Sequence, residues 1–409
     1  MPFRNLRLLT SLQGADVPTK PHELLFFSFK LRKMTSIGFY CDPNRIEHNA
    51  LTQLQQYAEK PHITRLCAFT DIHYCTEKAL PVGVAFETTD YCYPLVTGKD
   101  IGCGVMYLRI GKEDWLKPFD KNEHYKALVA AHHKMTDDGL GGGNHFLSLE
   151  EDASSVYIIC HTGTRDRGIA LYQQCIEMTR SFSQHYDQRV DFVHRQWIGE
   201  SFWQTYQDLL RFGHQRRKAF CIKTLLFLQQ ARYIATKGSR VETGYLKRHY
   251  NDADLHGSFN GVEYMIEDSV HNHIRMEADR ILHRKGSTEL ASGKTAVIPL
   301  SMSRGSLLVK PRSGSLLQEA LFSCAHGAGR RLSRFGAMKY WKTVLKERER
   351  KAYRQRFSEM LDRSGEFPSG YVQEFDFAYK ASDDILRYQP YLEKVTETTP
   401  IVTVKFTDI

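Results

Sequence analysis

Asp100 and Cys103 stand three residues apart on a glycine-rich turn, where a carboxylate and a thiolate can face one point. Such a pair suits a borderline divalent ion, and a thiolate can bridge two ions. Taken alone the pattern is weak evidence, because a cysteine before a strand is more often a small buried apolar residue.

Two histidines stand at turns that could form a site. Asn144 and His145 follow the glycine run 141–143, whose backbone N–H groups can approach a phosphate closely. His161 ends the apolar run VYIIC and opens a turn with Arg165 nearby, which is a common place for functional residues. Each histidine alone is more often a hydrogen-bonded structural residue.

The sharpest signal is His326, within the segment AHGAGRR. Small residues on both sides leave its imidazole open, and the adjacent glycines and arginines supply N–H groups and charge for a phosphate. An open histidine beside phosphate donors is suited to nucleophilic attack on phosphorus. The remaining candidate is His271, beside an apolar stripe that predicts a helix over residues 266–282. An imidazole in that position is either hydrogen-bonded or bound to a metal.

Periodicity and turn residues predict the elements that must position these side chains. An amphipathic helix is predicted over 45–60, and a mostly helical stretch from about 168 to 250. Buried strands are predicted over 62–70, 82–87, 103–110, 155–161, 295–310 and 400–405. The sequence therefore predicts a mixed α/β fold. We expect one large domain over 34–409 with central mixed β-structure and a helical insertion, after a variable or poorly ordered extension at 1–33.

The chain has a net charge of +9, and such a basic surplus suits a polyanionic partner such as nucleic acid. Residues 211–240 hold eight Lys or Arg and no acidic residue, which is more typical of a solvated helical face than of a binding surface. Nine cysteines without a CxxC pair argue against a disulfide framework and favour a reducing cytoplasm. No apolar run approaches the ~20 residues that cross a bilayer.

Several motifs, taken together and in this order, resemble those of the RtcB family of RNA ligases: DIGCG, GGGNHF, HTGTR, HN, HRKG, IPLSM, HGAGRRLSR and AYK. The resemblance runs from about residue 45 to the C-terminus. It implies a GTP-dependent ligase that joins RNA 3′-phosphate or 2′,3′-cyclic phosphate ends to 5′-hydroxyl ends, in RNA repair or splicing. It also implies two Mn²⁺ ions per site, and an accessory protein such as an archease-like activator or a release-factor homologue.

The resemblance implies a role for individual residues. His326 becomes guanylylated. The metal ligands are Asp100, Cys103, His145, His161 and His271. The other nucleotide contacts are Asn144, Phe146, Asn272, Ser301, Ser306, Gly327, Ala328, Gly329, Arg330, Tyr379 and Lys405. The candidates for binding RNA or phosphate are Arg165, Arg284 and Lys285.

Three positions depart from the family pattern. Ser148 stands where the family usually has a glutamate that pairs with guanine N–H donors, which leaves the strictness of the GTP preference open. The segment Asp71-Ile72-His73 lacks the glycine-rich continuation, and Leu300 replaces the glycine before Ser-Met. These departures suggest a divergent bacterial paralogue.

Two other functions remain open on the sequence alone. One is a metal phosphoesterase, or an enzyme that caps 3′-phosphate ends of RNA or DNA by nucleotidyl transfer without joining them. The other is an RNA-binding pseudoenzyme. Retention of all five ligand positions together with His326 argues against the second, because drift without catalysis tends to remove at least one of them.

Overall fold

The structure, a computed structural model, describes residues 35–75, 80–133, 139–236, 256–313 and 316–405. The predicted extension at 1–33 lies outside these residues, as does the stretch 237–255. Within the described ranges no helix combines the length and the apolar character needed to cross a bilayer.

Strands and helices follow one another irregularly. The strands are β1 (Ile37–Tyr40), β2 (Ile63–His73), β3 (Val82–Thr88), β4 (Tyr91–Cys92), β5 (Gly104–Gly111), β6 (Phe146–Glu151), β7 (Ser155–Thr162), β8 (Val193–His194), β9 (His256–Phe259), β10 (Val262–Val270), β11 (Asn272–Met276), β12 (Ile281–Lys285), β13 (Ser287–Glu289), β14 (Ala296–Ser301), β15 (Gly305–Pro311), β16 (Ser323–Ala325), β17 (Leu392–Glu397) and β18 (Thr399–Val404). The helices are α1 (His48–Ala58), α2 (Lys121–His133), α3 (Asp166–His185), α4 (Glu200–Gln230), α5 (Arg334–Thr343), α6 (Glu347–Arg356), α7 (Ser369–Val372) and α8 (Ser382–Tyr388).

A six-stranded sheet carries or directly adjoins four of the five predicted metal ligands, and its strands are antiparallel in the order β18-β6-β7-β5-β10-β9. Its side chains alternate between two faces. Leu147 and Leu149 of β6 belong to an apolar core shared with α4. Phe146 and Glu150 of the same strand line a cavity on the other side. The alternation thus separates a core face from a functional face.

A five-stranded sheet, in the order β1-β2-β3-β12-β11, forms a second layer. Leu54 and Tyr57 of α1 pack on one face of it. A three-stranded sheet, β14-β15-β17, lies between the two large sheets. Leu307 of this sheet packs in a core with residues of the five-stranded sheet, and Leu308 packs against Ile159 of the six-stranded sheet. The layers therefore follow one another in the order α1, five-stranded sheet, three-stranded sheet, six-stranded sheet and α4.

Most predicted elements are confirmed. The strands predicted from apolar runs correspond to β2, β3, β5, β7, β14 with β15, and β18, and the helix predicted over 45–60 is α1. The mostly helical stretch contains α3 and α4. β7 is buried at every residue, because α4 covers one face of its sheet and the three-stranded sheet covers the other.

The helix predicted over residues 266–282 is wrong. This segment forms the end of β10, all of β11 and the start of β12, with a hairpin in which the Glu277 N–H donates to the Arg280 carbonyl at 2.8 Å. β10 lies inside a sheet that is covered on both faces, so that the neighbours Ile266 and Glu267 are both buried. Burial on two faces removes the alternation that identifies a strand in a sequence.

The prediction of a solvated face for the basic residues of 211–240 is also wrong in part. Arg216, Arg217 and Lys218 are buried, because α4 packs across β5 and β7. A buried guanidinium requires hydrogen-bond acceptors or a counter-ion, and Arg217 has both, as described below.

Replacement of Ile158, a fully buried residue of β7, by alanine should lower the free energy of unfolding by about 2–5 kcal/mol. The same change at Ile169, which is 42% exposed on α3, should alter it by no more than about 0.5 kcal/mol. Urea unfolding followed by circular dichroism measures both. Equal losses for the two variants would contradict the assigned core.

Candidate active site

The strand register brings four predicted metal ligands to one edge of the six-stranded sheet. Cys103 directly precedes β5, and its neighbour Gly104 pairs with Thr162 at the end of β7. His145 directly precedes β6, whose Phe146 pairs with His161. His271 joins β10 to β11. Residues scattered over the sequence therefore meet because neighbouring antiparallel strands begin and end at this edge.

Cys103 is at the centre of this group. Its Sγ lies 3.3 Å from His145 Nε2 and 3.3 Å from His161 Nε2. Possible ligand atoms of these three buried residues all lie within 4.8 Å of one another. Asp100 Oδ2 is 3.5 Å from His145 Nε2, and the rings of His161 and His271 have centroids 5.1 Å apart.

The burial of these side chains sets their protonation states, which matter for binding a metal ion. Burial lowers the pKa of His161 and of His271 well below the usual histidine value, so both imidazoles are neutral and offer a lone pair. Burial also raises the pKa of the Cys103 thiol, so Cys103 becomes a thiolate ligand only as a cation displaces its proton. His145 Nδ1 and His271 Nδ1 are buried without a hydrogen-bond partner among the described residues. A thiol, a carboxylate and neutral imidazoles in this state fit a divalent cation.

Arg217 of α4 holds the metal-ligand group in place through hydrogen bonds to the backbone beside two of the ligands. Its Nη1 donates at 2.9 Å to the carbonyls of Gly102 and Thr162, which adjoin Cys103 and His161. Its Nε and Nη2 donate to the two carboxylate oxygens of Asp268 on β10, at 2.7 and 2.6 Å. One fully buried guanidinium thus fixes the turn that carries the thiol and the strand end that carries an imidazole.

His326 lies beside this group but is held by a different residue. Asp71, in β2, accepts hydrogen bonds from the backbone N–H groups of His326 and Gly327, at 2.9 and 3.1 Å. The same Asp71 oxygen, Oδ2, contacts His326 Nδ1. The imidazole is 4.8 Å from that of His271 between ring centroids. Because Asp71 engages Nδ1, the free nitrogen of His326 is Nε2.

The approach of this turn to β2 requires glycine at position 329. Gly329 has φ +75°, and a Cβ there would lie 2.6 Å from Asp71 Cα. This backbone conformation and this spacing both exclude a side chain. Gly329 therefore allows the turn to place His326 against Asp71. The glycines around His326 also leave its imidazole ring open.

A cavity of about 270 Å³ opens in front of His326. Its walls come from the six-, five- and three-stranded sheets and from the turn after β16. The predicted nucleotide contacts that line it are Asn144, Phe146, Ser301, His326, Gly327, Ala328, Gly329, Arg330, Tyr379 and Lys405. The structure thus brings together residues that lie as far apart as positions 144 and 405.

Two predicted nucleotide contacts do not line the cavity. Asn272 links two turns, since its Nδ2 donates to the Asp100 carbonyl at 3.2 Å and its Oδ1 accepts from the Gly286 N–H at 2.7 Å. Ser306 is buried behind the wall, where its Oγ donates to Glu150 at 3.3 Å. Both side chains order the site from outside the cavity.

The structure places the three candidates for RNA or phosphate binding in different environments. Arg284 is fully buried, and its guanidinium donates to Ser323 Oγ at 2.8 Å and to the Leu321 carbonyl at 3.1 Å. The prediction for Arg284 is therefore wrong, because no part of it reaches the surface. Lys285 is 6% exposed and lies outside the cavity wall. Arg165 is partly exposed and lies against Gly141 of the glycine run.

Three carboxylates of the cavity wall were not among the predicted site residues: Asp71, Glu150 and Glu374. Asp71 could have been identified from the sequence, since it follows a predicted apolar strand in an Asp-x-His segment. Glu374 accepts a hydrogen bond from Tyr379 and lies 3.5 Å from Lys405 Nζ. Glu150 could also have been found, since its even spacing from Phe146 puts both side chains on one face of a strand, whereas no spacing in the sequence connects Glu374 to the motifs.

Residues 120–406, more than half of the chain, match the model of a family described as tRNA-splicing ligase RtcB. The chain belongs to the RtcB family. The match contains His145, His161, His271 and His326, whereas Asp71, Asp100 and Cys103 precede it and join the site through the fold. The RtcB match and the geometry therefore support one another from different parts of the chain.

Similar RtcB proteins come from bacteria and archaea. RNA-splicing ligase RtcB2 of Escherichia coli (strain ATCC 25922) is 26% identical over 351 residues, which cover 74% of this chain and 79% of the relative. RNA-splicing ligase RtcB1 of the same strain is 22% identical over 351 residues, or 72% and 81%. The tRNA-splicing ligase RtcB of Methanocaldococcus jannaschii is 24% identical over 231 residues, or 50% and 23%.

Replacement of Cys103 by serine should lower the amount of divalent metal bound after incubation with Mn²⁺, because a hydroxyl is a far weaker ligand than a thiolate. Equilibrium dialysis followed by elemental analysis measures the bound metal. The control is Cys175→Ser, which changes a buried cysteine in an apolar cluster of α3 and should leave the metal content unchanged. Unchanged metal content in Cys103→Ser would remove Cys103 from the site.

Replacement of Arg217 by lysine should weaken binding of a divalent metal ion by about 10- to 100-fold, as is usual when a group that orients metal ligands is changed. A lysine keeps the charge beside Asp268 but lacks the fork that reaches both carbonyls. Arg211→Lys, at a position 52% exposed on the same helix, should bind the metal normally. Equal affinities for the two variants in a calorimetric titration would show that Arg217 supports only the fold.

Proposed function

We propose that this chain is a GTP- and Mn²⁺-dependent RNA ligase. It joins RNA 3′-phosphate or 2′,3′-cyclic phosphate ends to 5′-hydroxyl ends through a covalent His326–GMP intermediate. The observation that carries the proposal is the placement of His326. Its Nδ1 is held by Asp71, and its ring lines a cavity beside the group of Cys103, His145 and His161.

The residues present fit a pair of divalent ions. Asp100, Cys103, His145, His161 and His271 would hold them. When bound, the ions supply positive charge that neutralises the triphosphate and stabilises the charge that develops on the departing pyrophosphate. His326 is separate from these five side chains and keeps a free nitrogen for the reaction.

Asp71 prepares His326 for the first step. A carboxylate that accepts a hydrogen bond from Nδ1–H fixes the tautomer in which Nε2 carries the lone pair, and it stabilises positive charge on the ring as the bond forms. Nε2 attacks the α-phosphorus of GTP and forms an N–P bond. The bond from the α-phosphorus to the bridging oxygen breaks, and pyrophosphate leaves.

The next two steps move GMP to the RNA and then release it. An oxygen of the RNA 3′-phosphate attacks the phosphorus of His326–GMP, and the N–P bond breaks. The 5′-hydroxyl of the other strand then attacks the activated 3′-phosphate. A 3′,5′-phosphodiester forms, the hydroxyl proton is released, and GMP leaves. A 2′,3′-cyclic phosphate enters the sequence after water has opened it to the 3′-phosphate.

The cavity wall offers the contacts that such substrates require. Arg330 donates to the Tyr379 hydroxyl at 2.9 Å, and Arg334, which is 53% exposed, stands on the same wall. Guanidinium groups at the opening suit the phosphates of nucleotide and RNA. Binding that depends on phosphate contacts weakens as the salt concentration rises.

The test of the proposed reaction is a ligation assay on a broken RNA stem-loop with 3′-phosphate and 5′-hydroxyl ends, with Mn²⁺ and each nucleoside triphosphate in turn. A sealed strand supports ligation. A product that carries GMP on its 3′-phosphate, without sealing, would show end-capping instead. Binding of the RNA without any change to it would support a non-catalytic protein.

Replacement of His326 by alanine should abolish acid-labile labelling of the chain by α-labelled GTP, because the nucleophilic nitrogen is lost. Asp71→Asn should slow labelling by about 10²- to 10⁴-fold, since an amide can hold the ring in the wrong tautomer. His185→Ala, at an exposed position of α3, should label at the normal rate. Full labelling of His326→Ala would rule out the proposed nucleophile.

A further inference from the structure

Helix α5 begins at the opening of the cavity. Its first residue, Arg334, is 53% exposed and lines the cavity. Phe335 follows directly, so its Cα lies about 3.8 Å from that of Arg334. Phe335 is 81% exposed, the highest fraction among the large apolar side chains in the described part of the chain. An aromatic ring therefore stands in solvent immediately outside the cavity.

The packing of α5 fixes the side to which this ring points. Ala337 is fully buried and Trp341 is 5% exposed, and both belong to an apolar core. Phe335 lies two residues before Ala337, which on a helix of 3.6 residues per turn is the opposite side. Ser333 caps the helix, since its Oγ accepts a hydrogen bond from the Gly336 N–H at 2.9 Å. The helix is thus held with Phe335 on its outer side.

The outer side of α5 is also basic. Lys339 and Lys342 follow Phe335 by four and seven residues, so all three side chains lie on one face of the helix. Both lysines are exposed, and neither has an ion-pair partner among the residues that the structure describes. Residues 330–346 hold six Lys or Arg and no Asp or Glu. Phe335, Lys339 and Lys342 together form the outer face of α5.

This combination of groups suits a single-stranded nucleic acid. Every base has a π-face that can stack on an aromatic ring, and the phosphates between bases contact cations. From Phe335 to Lys342 the face is about 10 Å long, enough for about three nucleotides of a stacked strand. An apolar protein surface would fit the ring, but it would bury the two ammonium groups without partners, which is costly. The charge of the face therefore favours RNA as its occupant.

We propose that the outer face of α5 binds single-stranded RNA next to the end that is joined, with a nucleobase stacked on Phe335 and phosphates at Lys339 and Lys342. The inference rests on the proposed function, since it assumes that an RNA end reaches His326 through this opening. A base inside a duplex has both of its π-faces covered by neighbouring bases. The outer face of α5 therefore selects unpaired ends, and it does so without reading their sequence.

The experiment measures binding of two short unpaired RNA oligonucleotides by fluorescence anisotropy, with Mn²⁺ and without GTP. One has a 3′-phosphate and the other a 5′-hydroxyl, and each is labelled at its opposite end. Phe335→Ala should weaken binding of at least one of them by about 5- to 150-fold, because a stacked base is lost. Phe335→Trp should bind at least as well as the wild type. Phe335→Leu should not, because its side chain is apolar but has no aromatic face.

The salt dependence of the same binding tests the two lysines. Lys339→Ala and Lys342→Ala should each reduce the slope of log Kd against the logarithm of the salt concentration by about 0.7, the value for one phosphate contact on a single strand. Phe335→Ala should leave the slope unchanged, since stacking releases no counter-ions. A general loss of structure would not produce this difference, and thermal unfolding shows whether each variant is folded.

The matched controls are Phe39→Ala and Lys310→Ala. Phe39 is a 38% exposed ring on the edge strand β1. Lys310, on β15, is 49% exposed and is paired with Glu393 at 3.4 Å. Neither Phe39 nor Lys310 lines the cavity. Both control variants should bind the oligonucleotides with the affinity and the salt slope of the wild type.

The outcomes separate this inference from the proposed function. A loss of affinity confined to one oligonucleotide supports the inference and shows which strand lies on α5. Folded Phe335→Ala and Phe335→Leu variants that bind both oligonucleotides like the wild type would overturn the inference and leave the reaction at His326 intact. A wild-type chain that binds neither oligonucleotide would overturn both the contact on α5 and the proposed ligation.

Discussion

The hydrogen bonds that Asp71 accepts from residues 326 and 327 are the interaction on which the site depends. They tie a strand of the five-stranded sheet to the turn that carries His326, across more than 250 residues of sequence. The same carboxylate engages Nδ1, so one group fixes the position, the orientation and the tautomer of the ring. His326 is thereby held apart from the group of metal ligands beside it, which it could otherwise join as one more ligand to the metal.

The metal-ligand group is formed by a second constraint, the antiparallel register of the six-stranded sheet. β5, β6, β7 and β10 begin or end at one edge, and each contributes a side chain there. Arg217 joins the layer of α4 to this edge by bonding the carbonyls of Gly102 and Thr162. Burial of a positive charge beneath a thiol is favourable only with a counter-ion, and Asp268 provides it. The helical segment is therefore part of the support of the site.

The sequence predicted most of the strands, and its candidate metal ligands come together in the structure, but it did not predict the groups that support them. Apolar runs such as VYIIC identify strands, and glycine-flanked histidines identify reactive positions. The segment 266–282 was misread because a strand covered on both faces loses its alternation. Arg217 and Glu150 were missed for a related reason: most of their partners lie 50 or more positions away, and a basic or acidic residue in a sequence is ordinarily exposed. Only the packing of layers shows that they face the interior.

The most direct measurement of the central claim identifies the nitrogen that carries the nucleotide. The chain is prepared with ¹⁵N-labelled histidine and guanylylated with GTP, and the bond is assigned by ³¹P–¹⁵N coupling in nuclear magnetic resonance. The account predicts one phosphorus bonded to Nε2 of His326, with Nδ1 still hydrogen-bonded to Asp71. A phosphorus bonded to Nδ1, or to a residue other than His326, would contradict it.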